Sequence, residues 1–121
     1  MSIFKYKINY MTNYYKNIKE AHNKFNFPGS YRIGTLIKDN LVVRIYSNSE
    51  AAPDYFEKNN QYFYYVIKND KIYNAFKNSK KENILIHVFK RNKEIQNVEY
   101  YGLYKVFGFR QNKKYVLLKK V

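Results

Sequence analysis

The stretch "NVEYYGLYKV", residues 97 to 106, carries the pattern that decides the fold of this chain. Its β-branched and aromatic residues are typical of a strand, yet Gly102 interrupts the middle and Gly108 follows in the continuation of the same strand. Glycine inside a strand often marks a bulge or a sharp bend. We therefore predict one long strand over about residues 98–109 that bends at both glycines, as in a small sheet that curves toward closure.

Five other segments share this β-type texture and are bounded by Asn, Asp, Lys or Gly. Two connections between them, "LIKDNLVV" and "FRQNKKYV", have the short polar form of tight hairpins. Together with the long strand, these five segments predict a small curved sheet or partly open β-barrel of about six strands, covering about residues 30–121. The five segments are residues 30–37, 40–46, 61–67, 83–89 and 114–121.

An N-terminal amphipathic helix is predicted over about residues 11–25, where apolar residues recur at the spacing of one helix face. Thr12 is the expected N-cap, and "NFPGS" (26–30) contains the residues that end the helix. Ahead of it, "IFKYKI" (3–8) has the composition of a short strand.

A second short helix is predicted over residues 70–79, "DKIYNAFKNS", between two of the strands. A chain of 121 residues can bury a core of its own, and we find no repeat or linker in it. We therefore expect an α+β fold in a single domain, residues 1–121.

The charge balance indicates the kind of partner. Lys and Arg number 23 against 9 Asp and Glu, for a net charge of +14. Drift toward AT-rich codons raises glutamate as readily as lysine, so it does not explain this imbalance. A field this positive attracts a polyanion, and nucleic acid is the usual one. Five basic residues near predicted strand ends are candidates for phosphate contacts: Arg32, Arg44, Lys68, Lys90 and Arg91.

Several classes of protein are disfavoured by what the sequence lacks. There is no cysteine, the two histidines are not at ligand spacing, and no glycine-rich phosphate loop occurs, so we expect neither a metal nor a cofactor. The longest apolar run, "YFYYVI" (62–67), is far shorter than the roughly 20 residues that span a bilayer. We expect a cytoplasmic protein with no membrane partner.

Two parts of the chain resemble the SRA, or YDG, domain family. "EYYGLYKV" (99–106), preceded by "NAFKNSKKENILIHVFKRN" (74–92), resembles the family's helix, strand and Y-D-G-L-Y-x-V strand. "APDYFEKNNQYFYYVI" (52–67) is similar to its GGY-E-D-D loop and the Y-T-G strand that follows. The likeness spans about residues 30–110, and related PUA-like barrels such as the EVE and YTH readers share the strand plan. The chain departs from the family at Tyr101, which replaces Asp, at Ala52-Pro53, which replace a Gly pair, and in "YVI", which replaces Y-T-G.

The resemblance implies a reader of modified bases, which takes one base out of the duplex and holds it between two aromatic rings. By position, Tyr55 would be the loop aromatic and Tyr65 the strand aromatic, while Asp54 or Glu57 would accept from an exocyclic amine. Tyr64 is a further candidate, because either face of its strand could be the core. The implied partner is double-stranded DNA with a modified base, as in modification-dependent restriction. Any nuclease would lie on a partner or another domain, so we expect no catalytic residues here.

Two other functions stay open at this point. A small basic ribonuclease of the toxin type needs only general acid-base groups, and His87 would be its candidate catalyst. However, His87 alternates with Leu85 and Phe89 in a predicted strand, which favours a core role. The third possibility is a protein that docks on an acidic partner.

Overall fold

The computed structural model describes residues 13–48, 54–92 and 94–121. Within these ranges the chain forms two helices and eight strands, so the expected α+β class is confirmed. The helices are α1 (Ile18–Phe25) and α2 (Asp70–Lys81). The strands are β1 (Tyr14–Tyr15), β2 (Thr35–Lys38), β3 (Leu41–Ser47), β4 (Tyr55–Glu57), β5 (Tyr62–Val66), β6 (Leu85–Arg91), β7 (Val98–Arg110) and β8 (Tyr115–Lys120).

All eight strands belong to one sheet, in the order β2-β3-β6-β7-β8-β5-β4, and β1 pairs with the start of β7. The pairing of β3 with β6 is parallel, and the other pairings are antiparallel. The chain between β3 and β6 contains the β4–β5 hairpin and α2. In the part of the chain that the structure describes, no ladder joins β2 to the β4 end, so the sheet is partly open, as predicted.

The long strand β7 bends where its two glycines lie, which confirms the prediction. Val88 of β6 pairs with Gly102 but Phe89 pairs with Tyr100, so the residue between them is a bulge. Gly102 itself has a φ of 105°, a conformation that side chains disfavour. On the other edge the register of β7 with β8 shifts between Val106 and Gly108. Each bulge increases the local twist and curls the sheet around its inner face.

The concave face of the sheet is the main core, and α2 packs on it against β3 and β7. Asn69 caps this helix by accepting a hydrogen bond from the Ile72 N–H at 2.9 Å. Ser79 ties it to the sheet, since its hydroxyl accepts from the Val42 N–H at 2.9 Å. The buried members of this core are Val42, Ile45, Phe63, Tyr65, Ala75, Phe76, Ile86, Val88, Tyr104, Val106, Val116 and Leu118.

The predicted helix over 11–25 is too long at its N-terminal side, because α1 begins only at Ile18. Asn17 is the N-cap, with its side chain accepting from the Glu20 N–H at 2.9 Å. Tyr14–Tyr15 pair with β7 instead of continuing the helix. The helix covers a second aromatic core that includes Tyr15, Tyr46 and Phe89. The predicted cap at residue 12 and the strand over 3–8 lie outside the described residues.

The six strands predicted for the sheet all occur, with shifted ends, and so do both hairpins. Asp39 and Asn40 have φ values of 54° and 62°, as a tight turn with two left-handed residues requires, and 111–113 form the other turn. The strand predicted over 30–37 begins only at Thr35. Two strands were missed: the two-residue β1, and β4, which lies in a segment predicted to be a loop. No helix in the described ranges is long and apolar enough to cross a membrane.

Candidate nucleic-acid interface

A cavity of about 190 Å³ opens where β3, β5 and β6 end. A void of about 150 Å³ can hold a benzene ring, so this one has room for a single six-membered ring. Its wall combines two tyrosines, one carboxylate, one amide and three cationic side chains. We call it the polar pocket, and its lining residues are Ile18, Arg32, Gly34, Tyr46, Asn48, Asp54, Tyr65, Lys68 and Arg91.

Asp54 is the acidic group of the polar pocket and is only 8% exposed. Its Oδ1 accepts from the Val66 N–H at 2.9 Å, and its Oδ2 from the Ser47 hydroxyl at 3.2 Å. Burial raises the pKa of Asp54, while these two hydrogen bonds and the Lys68 charge act in the opposite direction. A carboxylate oxygen has two lone pairs, so each oxygen can accept from one more donor.

Tyr65 forms the wall next to Asp54, one residue before the Val66 amide that the carboxylate binds. Its hydroxyl lies 2.6 Å from the Thr35 Oγ1 of β2, and its ring packs edge-on against Phe76 of α2 at 6.1 Å. Burial raises the pKa of Tyr65, so the phenol stays neutral at physiological pH. This network holds the ring in one orientation.

Tyr46 and Asn48, at the end of β3, complete the pocket and were not predicted. The Tyr46 hydroxyl donates to the Ile18 carbonyl at 3.3 Å. The Oδ1 of Asn48 is buried and has no hydrogen-bond partner among the described residues. An acceptor at this place in the wall of a cavity can take a hydrogen bond from a molecule that enters it. The sequence does contain a signal for Tyr46 and Asn48. Polar side chains alternate along the end of this strand, at Arg44, Tyr46 and Asn48.

The structure does not bring Tyr55 and Tyr65 together. The segment predicted to be a loop forms β4, which pairs Tyr55 with Tyr64 of β5, and these two rings stack at 4.4 Å. Successive side chains of a strand point to opposite faces, so Tyr64 and Tyr55 lie on the outer face and Tyr65 on the inner one. Glu57 also belongs to the outer face, where it bonds the Tyr64 hydroxyl. The expected sandwich of one base between Tyr55 and Tyr65 is therefore not the geometry of this chain.

Arg44, predicted to contact phosphate, is fully buried. Its guanidinium donates to the Ile33 carbonyl, to Gly34 O at 3.3 Å and to Ser30 O at 3.1 Å. It lies 3.8 Å from the centre of the Tyr46 ring, and burial lowers its pKa. The prediction for this residue was wrong because carbonyl groups from residues 30–34 solvate the charge inside the protein. Arg44 thereby holds the loop that places Gly34 in the pocket wall.

The remaining basic candidates divide into two groups. Arg32 and Lys68 are exposed and Arg91 is half-buried, and all three line the polar pocket. Lys90, half-buried on β6, is not among the lining residues. The pocket continues into a groove of about 490 Å³ along the start of α1. This groove shares Ile18, Arg32 and Arg91 with the pocket and adds Asn17, Lys19 and Tyr31.

His87 lies outside the polar pocket. Its Nδ1 is 2.9 Å from the Tyr100 hydroxyl, and its ring packs edge-on against Phe25 and Phe27, each at 5.3 Å. Burial lowers the pKa of His87, so the imidazole is neutral. This is the core role that the strand alternation favoured, and it gives the ribonuclease hypothesis no support. No group of three His, Asp or Glu in the described ranges is placed to hold a metal ion.

Solved structures share this fold. No protein-family model matches the sequence, and no curated protein does. The chain is 17% identical to the SUVH5 SRA domain in a complex with hemimethylated CG DNA, with a TM-score of 0.70 over 88% of this chain and 84% of that one. It is 17% identical to the SUVH5 SRA domain bound to fully hydroxymethylated CG DNA, with a TM-score of 0.63 over 87% and 85% of the two chains.

A longer protein contains the same fold. KRYPTONITE, in a complex with mCHH DNA, an H3(1-15) peptide and SAH, is 15% identical, with a TM-score of 0.71 over 89% of this chain. The match covers 31% of that chain. These likenesses confirm that the fold is SRA-like, as the sequence motifs indicated.

Proposed function

We propose that this domain binds DNA that carries a methylated or hydroxymethylated cytosine and holds the extruded base in the polar pocket. The observation that supports this most is the buried carboxylate of Asp54 beside the Tyr65 ring, in a cavity large enough for one pyrimidine. The fold is that of SRA domains whose structures contain methylated or hydroxymethylated DNA.

The pocket offers acceptors for the edge of a cytosine. The exocyclic amine of that base carries two hydrogens. An oxygen of Asp54 can accept one, and the Oδ1 of Asn48, which has no partner among the described residues, can accept the other. Extruding a base costs a few kcal/mol in lost stacking and pairing. Contact with the rings of Tyr46 and Tyr65 and the new edge contacts offset that cost.

The basic groove suits the strand that leads into the pocket. Arg32 and Arg91 line both cavities, Lys19 lines the groove and Lys68 the pocket, so four cations surround the path of the backbone. Such contacts fix the register of the protein on DNA and carry no sequence information themselves. We assign the domain no catalytic step, and any strand cleavage would be performed by a partner or another domain.

The test measures affinity for three duplexes of one sequence, in which a single cytosine is unmodified, methylated or hydroxymethylated. Gly34→Val is the diagnostic variant. A Cβ there would lie 3.7 Å from the Tyr65 hydroxyl and 3.9 Å from the Tyr46 carbonyl, which are ordinary contacts. Its methyl groups therefore grow into the pocket without removing any polar group.

Wild type should prefer a modified duplex, and Gly34→Val should bind all three with the affinity that wild type shows for unmodified DNA. Gly34→Ala, with a single methyl group, is the matched control and should keep most of the preference. Equal wild-type affinity for all three duplexes would contradict the proposal.

A further inference from the structure

The outer surface of β4, β5, β7 and β8 presents aromatic rings on the side of the sheet opposite the core. Tyr55 is 40% exposed and Phe107 is 47% exposed. Tyr55 packs edge-on against Tyr115 at 5.8 Å as well as stacking on Tyr64, and Phe107 packs edge-on against Tyr62 at 6.5 Å. We call this surface the outer aromatic face. Of its five rings, Tyr55 and Phe107 are exposed, Tyr62 and Tyr64 are half-buried, and Tyr115 is buried.

Lysine ammonium groups lie over these rings. Lys119 Nζ is 6.0 Å from the centre of the Tyr62 ring and 5.8 Å from that of Phe107. Lys58 Nζ lies 5.5 Å from the Tyr62 ring, and Lys114 Nζ lies 5.5 Å from the Tyr115 ring. One carboxylate, that of Glu57, accepts a hydrogen bond from the Tyr64 hydroxyl and keeps its negative charge, but the three lysines outnumber it. The surface therefore combines positive charge with two exposed rings, those of Tyr55 and Phe107.

Phe107 owes its position to the second bulge of β7. Val106 pairs with Leu118 and Gly108 with Leu117, so Phe107 is the extra residue, and it projects from the strand into solvent. Bulges re-aim side chains and recur at functional positions. Exposed aromatic rings that adjoin further rings and a polar rim mark an interaction site more often than an ordinary surface does.

The chemistry of this face selects one kind of partner. Single-stranded nucleic acid presents unpaired bases that stack on aromatic rings and phosphates that pair with cations. Duplex DNA keeps its base faces covered by stacking, and an acidic polypeptide would use the lysines but leave the rings without a partner. We propose that the outer aromatic face binds single-stranded nucleic acid, independently of the polar pocket.

The experiment titrates the whole chain into a short fluorescein-labelled oligothymidylate, with an oligouridylate of the same length as a second probe. These probes carry no modified base and form no duplex, so the polar pocket is not required. Phe107→Ser should weaken binding about fivefold or more, the lower end of the effect of losing one stacked base. Tyr55→Ser should weaken it as well, and Gly34→Val should leave it unchanged. Similar affinities for both probes would show that DNA and RNA are both ligands, and a preference would identify which one is.

Charge is tested with a matched pair. Lys119→Gln and Lys81→Gln each remove one positive charge, but Lys81 lies at the end of α2, outside the outer aromatic face. Lys119→Gln should weaken binding several-fold more than Lys81→Gln. Equal effects of the two, together with unchanged binding by the Phe107 and Tyr55 variants, would overturn the proposal and leave only non-specific attraction.

Two controls distinguish other occupants of this face. If polyglutamate displaces the probe as well as an unlabelled oligothymidylate of equal charge, the face takes an acidic protein and the proposal is wrong. If light scattering shows a dimer that Phe107→Ser dissociates, the face is covered by a second copy of the chain, and the proposal is again wrong. Urea unfolding of each variant establishes that the measured protein is folded.

Discussion

The hydroxyl of Tyr65 on β5 and the hydroxyl of Thr35 on β2 lie 2.6 Å apart and are both buried. No backbone ladder joins these two strands in the described part of the sheet, so this side-chain hydrogen bond connects its two sides. The same tyrosine forms a wall of the polar pocket. The pocket therefore lies beside a contact that links the two sides of the partly open sheet.

Tyr65→Phe should lower the free energy of unfolding by about 1–2 kcal/mol, because the Thr35 hydroxyl is left buried without a partner. Thr35→Val should cost a similar amount for the same reason. The double variant should cost clearly less than the sum of the two, since neither unpaired hydroxyl remains. Urea unfolding measures all four proteins, and strictly additive losses would show that the two groups do not interact.

Binding to duplex DNA should weaken steeply between about 50 and 200 mM salt, because each neutralised phosphate releases a counterion. Lys68→Gln and Arg32→Gln should each reduce the slope of log affinity against log salt by about one. Arg44→Gln should lower stability and leave the slope unchanged, since this side chain is fully buried. An affinity that is flat over this range would exclude phosphate contacts.

Lowering the pH from neutral should affect stability and base preference in opposite directions through Asp54. Burial raises its pKa, so the folded chain takes up this proton at a higher pH than the unfolded chain. The contribution of this group to stability therefore grows as the pH falls through the folded pKa and is lost as the pH rises through it. The preference for a modified cytosine should fall over the same range, because protonation removes an acceptor from the pocket.

Asp54→Asn is the reference for this pH series, because it keeps the shape of the side chain but does not titrate. Wild type should gain stability relative to Asp54→Asn as the pH is lowered. The preference of the variant should be weaker at neutral pH and independent of pH. A constant difference in stability across the series would show that this carboxylate titrates alike in both states.

Gly102→Ala should cost about 1–3 kcal/mol, because a φ of 105° is strained for any residue with a side chain. Gly108→Ala is the matched variant on the same strand. A Cβ there would meet the Arg110 guanidinium at 3.2 Å, and that flexible side chain can move aside. The shift in the urea midpoint should therefore be clearly larger for Gly102. Equal shifts of the urea midpoint in the two variants would show that the positive φ at Gly102 adds no cost of its own.

The sequence predicted the features that depend on local patterns. Three features follow from neighbouring residues alone. They are the strands with β-type composition, the polar hairpins such as the one at Asp39 and Asn40, and the glycine bulges of β7. By contrast, β1 and β4 have only two and three residues and exist because β7 and β5 offer them partners. The free energy of this pairing comes from a distant partner strand, so the sequence of the short segment alone does not predict it.

The candidate site was predicted less well, for the same reason. Asp54, Tyr65, Arg32, Lys68 and Arg91 are indeed brought together around one cavity. Tyr55 is not, because the register of β4 on β5 turns it to the other face. The positive charge of Arg44 suggested an exposed side chain. In the structure the side chain is buried, and carbonyl groups from residues 30–34 accept its hydrogen bonds. Whether a side chain reaches the pocket depends on pairing across strands, which a single stretch of sequence does not specify.

The parallel pairing of β3 with β6 also bears on how the polar pocket is assembled, because its two strands lie far apart in the sequence. Arg44 pairs with His87 only after the long intervening crossover has closed, and closing a long loop costs entropy before any contact repays it. The antiparallel hairpins join neighbouring segments and can form earlier. Because Tyr46 and Arg91 come from the ends of this parallel pair, a folding intermediate with intact hairpins but a detached β3 has no pocket. The pocket that we propose for the base is therefore complete only once this parallel pairing has formed.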